Sequence, residues 1–182
     1  QGKQGDSLFF EPILTESMIA GWNARIPEIS RKMYGASDDR SLAVVCALAV
    51  EAQMAQLLKL FLLGYDKSEP CTFEAKLNLL KIMNLIPKNL IDCADAIRKV
   101  RNAFGHDFEV ESLDKLPTKA KSALESSYNT IPDREKSADP KEMLINLATI
   151  LVHGLQDYEP VVRAYGNFIK SEEFREILKK TK

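Results

Sequence analysis

Apolar residues recur at three- and four-residue spacing along most of the chain, and no stretch alternates at period two. Helices are therefore expected throughout, and strands are not. Ile13, Ile19 and Trp22 open a first helix expected to run to about Tyr34. Gly35 and Ser37-Asp38-Asp39 end it and cap the next one. That next segment, from about Arg40 to Leu63 with a stop at Gly64, is the longest apolar stretch and is read as a central helix buried on most sides. Glu51, Gln53, Gln56 and Lys59 lie well inside it, and each would be costly in hydrocarbon, so a membrane span is not expected.

A short loop over Asp66 to Pro70 leads to Thr72, which is placed as the N-cap of a helix with Phe73, Leu77 and Leu80 inward and Lys76, Asn78 and Lys81 outward. Pro87 starts another, since proline suits a first helical turn; Leu90, Ile97, Val100 and Phe104 form its apolar side and it stops near Gly105. The pattern weakens after that. Leu113 to Tyr128 holds one or two short helices interrupted by Pro117, and Asn129 to Pro140 reads as a loop. Lys141 to Tyr158 is amphipathic, Pro160 restarts the chain, and Val161 to Lys180 closes it as one charged helix. Residues 1–10 are read as a leftover or disordered start, and 11–182 as a single all-α domain: a bundle of about seven helices around the central apolar one.

Composition narrows the function classes. A chain of 182 residues with 45% hydrophobic positions can bury a core without help from disulfides or metal. Lys and Arg number 25 against 26 Asp and Glu, which excludes a strongly basic nucleic-acid-coating protein but leaves a local basic patch open. Cys46, Cys71 and Cys93 are odd in number, widely spaced and without a CxxC pair, so they read as reduced, mostly buried thiols of a cytoplasmic protein. With only His106 and His153, far apart, no metal site is expected. No GxxxxGK[ST], GxGxxG or GxSxG is present, so no cofactor or acyl-transfer machinery is implied. No helix presents a base-reading face, and direct DNA binding is not expected.

The segment from Ile97 to Asp107 holds the candidate chemistry. Ile97, Val100 and Phe104 make its inward stripe, while Arg98, Arg101 and Asn102 gather on a neighbouring polar face. Five positions on a regular helix turn a side chain by about 140°, which would take His106 away from Arg101. Gly105, in the left-handed conformation that ends helices, would swing it back. An arginine, an asparagine and a histidine in one concavity could bind a phosphate and move a proton, and they equally suit a buried polar network. Glu51, a lone carboxylate among Ala, Val, Leu and Met, is expected to pair with Arg101 or Arg98 in that network. His153, Trp22 and Phe9-Phe10 are read as packing residues, and Lys170 to Lys182, mixed in charge, as a solvated face.

Arg101-Asn102-Ala103-Phe104-Gly105-His106 resembles the R-x(4–6)-H motif of HEPN domains, all-α modules that often pair as dimers. With Phe73-Glu74-Ala75-Lys76, Leu85-Ile86, Ala96-Ile97-Arg98-Lys99-Val100 and the upstream Asp39-Arg40-Ser41-Leu42-Ala43, the stretch 38–107 is similar to the mannitol operon repressor family. Gly105 stands where that family usually has alanine. The resemblance implies one of two functions. In the first, which we place ahead, the chain is a non-catalytic protein-binding module, a transcriptional co-regulator or a toxin-neutralising partner of the immunity type. Glu51, Arg98, Arg101, Asn102 and His106 are then a structural polar network, with Arg101 mostly buried. In the second, it is a metal-independent HEPN-type ribonuclease: His106 moves the proton, Arg101 stabilises the phosphorane charge and Asn102 orients the pair, with two copies of the site meeting across a homodimer.

Overall fold

Helix starts are written in single side chains. The Asp38 carboxylate accepts the Ser41 backbone N–H at 2.7 Å and the Ser41 hydroxyl at 2.9 Å, and the chain becomes helical from Asp39. These two bonds, with a third from Ser37, hold the Asp38 carboxyl below its usual range. Thr72 caps in the same way through Ala75, and Asp139 through Lys141. The computed structural model describes residues 31–62, 72–131 and 137–180, with the side chains of Leu178 and Lys180 left aside. Most of the first expected helix, the start at 1–10, Phe9-Phe10, Trp22 and Cys71 lie outside these residues.

Residues 31–34 form a last helical turn, after which seven α-helices follow among the described residues, with no strand. They are α1 (Asp39–Phe61), α2 (Phe73–Ile82), α3 (Lys88–His106), α4 (Thr118–Asn129), α5 (Pro140–Asp157), α6 (Glu159–Lys170) and α7 (Glu172–Lys180), with one 3-10 turn at Leu113–Lys115. The all-α bundle expected from periodicity is what forms. The stretch after Leu113 resolves into the 3-10 turn and α4, since Pro117 precedes the first turn of α4 and cannot donate into a continuous helix. The single closing helix divides in two at Ser171, whose extended backbone ends α6. Its hydroxyl donates to Phe168 O at 2.6 Å and accepts from Phe174 N at 3.2 Å, serving both helix ends.

The core lies where α1, α3 and α5 meet. Leu42, Cys46, Val50, Met54 and Leu58 of α1, Ile97, Val100 and Phe104 of α3, and Leu144, Leu147, Leu151 and Leu155 of α5 are all buried in one continuous cluster. α2 and α6 pack on the flanks of α1, and α4 on α3 and α5. At Gly166 of α6 a β-carbon would stand 2.5 Å from Leu60 O, so the two backbones approach only because that position lacks a side chain. Cys46 and Cys93 are buried free thiols, and burial pushes them up to about 12 and about 11.

The central-helix expectation needs one correction. α1 is buried along one side only, at Leu42, Ala43, Cys46, Ala47, Val50, Met54, Leu57 and Leu58. On the opposite side Val44, Leu48, Ala52, Gln56 and Lys59 are exposed, because among the described residues the neighbours of α1 enclose only about half its circumference. By length and composition α1 would also pass for a membrane span.

Candidate functional site

The end of α3 is positioned from α1. Arg40, in the first turn of α1, sends Nη1 to Phe104 O at 2.7 Å and Nη2 to Val110 O at 3.3 Å. Phe104 O is one of the last four carbonyls of α3, which have no partner within the helix, so the guanidinium serves as its cap. Asp39 Oδ2 accepts the Leu113 N–H at 2.9 Å. Two adjacent residues of α1 thereby hold both sides of the turn over 107–113. Within that turn Asp107 Oδ1 accepts from Glu109 N at 2.9 Å, and Phe108 projects outward, 85% exposed, with its ring 5.8 Å from the Arg40 guanidinium.

Arg101 and His106 stand at the same end of α3, and both are exposed. The expected concavity does not form within one chain. α3 runs unbroken through Gly105 to His106, and the backbone leaves the helix only at Asp107, in extended conformation. Gly105 is not left-handed, so nothing swings His106 back, and the regular 140° offset stands. Arg101 Nη1 donates to Asn102 Oδ1 at 3.1 Å, a contact between sequence neighbours.

Nor do the five network residues share one network. Glu51 pairs with Lys76, Nζ to Oε1 at 2.9 Å, not with Arg98 or Arg101. Lys76, expected outward, is buried, because α2 lies against the Glu51 side of α1. Arg98 donates through Nε and Nη2 to Asp95 Oδ1 at 2.9 and 2.8 Å and lies 3.5 Å from Glu74. Burial raises the Asp95 carboxyl, yet hydrogen bonds from Lys99 and Arg98 outweigh it and the net shift is downward. Arg101 is thus exposed and makes no ion pair among the described residues, against the expectation that it is buried.

Asp39, Arg40, Lys76 and Phe108 are the residues that reading the sequence missed. In the sequence Asp39 reads only as part of a helix cap and Arg40 only as part of the resemblance, and an i, i+25 pair such as Glu51–Lys76 leaves no periodic signal. A separate cleft of about 470 Å³ opens between Phe61, Met83, Pro87, Tyr158, Val161 and Tyr165. It is mostly apolar; burial, and Asp157 beside it, raise the Tyr158 hydroxyl, leaving that phenol neutral. Among the described residues no group of three or more His, Cys, Asp or Glu is arranged to hold a metal. No known family, curated protein or solved structure matches the chain.

Proposed function

We propose that the chain is a non-catalytic protein-binding module of the cytoplasm, acting as a transcriptional co-regulator or as a toxin-neutralising partner, and that it meets its partner with the end of α3. The observation behind this is Phe108: a large aromatic, 85% exposed, with the Arg40 guanidinium 5.8 Å from its ring, just beyond the end of the helix that carries the exposed Arg101 and His106. Aromatic and arginine side chains dominate the energetics of protein interfaces. The local likeness to the mannitol operon repressor family agrees with a regulator.

Exposure of Arg101 and His106 also favours the second reading, a HEPN-type ribonuclease. On the unbroken α3 the two side chains diverge, so this reading requires the pair to be assembled from two chains.

The test uses the full chain as bait in host lysate, with wild type beside the Arg101→Glu/Phe108→Ala variant, and identifies bound protein and RNA. One stoichiometric protein held by wild type and lost by a variant of unchanged melting temperature is the expected result. A DNA-binding partner makes the chain a co-regulator; a toxin makes it an immunity protein. Bound RNA that purified wild type cleaves and His106→Ala does not would establish the ribonuclease instead.

A further inference from the structure

We draw no further inference here: the strongest candidate, the mostly apolar cleft of about 470 Å³ that the turn between α2 and α3 forms with Phe61, Tyr158 and the Val161–Tyr165 side of α6, carries none because nothing in the structure shows what occupies it.

Discussion

Lys76 Nζ sits 2.9 Å from Glu51 Oε1 between α2 and α1, with only 6% of the lysine side chain and 21% of the glutamate open to solvent. Removing one member of so enclosed a pair leaves a charge in a poor dielectric, which costs more than the pair contributes. Lys76→Ala is expected to lose about 3 kcal/mol of stability in urea unfolding, and Glu51→Gln/Lys76→Met to recover most of it. A loss below about 0.5 kcal/mol for Lys76→Ala would mean the pair is solvated.

Arg40 and Arg101 divide between structure and surface. Arg40→Ala frees Phe104 O and Val110 O at the end of α3, and a cost of about 1.5–3 kcal/mol is expected, the range for hydrogen bonds from charged donors. Arg101→Ala is expected to stay within about 0.5 kcal/mol of wild type, as exposed positions usually do. Thermal melts of the two variants side by side check this, and a reversed order would refute the assignment of the cap to Arg40.

Two glycines should respond oppositely to alanine. At Gly166 the new β-carbon meets Leu60 O at 2.5 Å, so α6 must move off α1, and a loss of about 1–3 kcal/mol is expected. Gly105 is helical with nothing within 4 Å of an added β-carbon, so Gly105→Ala should gain about 0.5–1 kcal/mol through helix propensity. A destabilised Gly105→Ala would show that the position needs glycine's freedom after all.

Asp95 provides a pH signature. Its folded carboxyl lies below its unfolded value, so its contribution is fully present above the ordinary carboxylate value of about 4 and is lost as pH falls through the lowered one. The stability gap between wild type and Asp95→Asn should therefore be largest near neutrality and narrow only once pH falls below about 4. A gap independent of pH would mean that Asp95 acts through packing alone.

Much of the fold was legible because its causes are local. Asp38, Thr72 and Asp139 each cap from within three residues, Pro87 and Pro117 precede first turns, and the i, i+3, i+4 spacing of Ile97, Val100 and Phe104 marks the inward side of α3. The break at Ser171 was not legible, since a serine between charged helical segments is compatible with a continuous helix until its hydroxyl is seen to serve both ends.

The candidate site depended on distances that spacing does not encode. Glu51 is expected from the sequence to meet Arg101 or Arg98, with Lys76 turned outward; the packing of α2 on α1 gives it to Lys76 instead, and Arg98 closes on Asp95 and Glu74. Arg101 and His106 were recognisable as residue types in a motif, yet whether they converge depended on the backbone at Gly105, where glycine permits either outcome and the helix continued. The sequence by itself determined where helices begin and which stripe of each is apolar, because hydrogen bonds and helical period act within a few residues. Only the tertiary structure decided which charges pair, that Phe108 stands out near Arg40, and which side of α1 the other described helices bury. Those outcomes depend on how helices distant in sequence cross, and crossing is settled by the packing of the whole core.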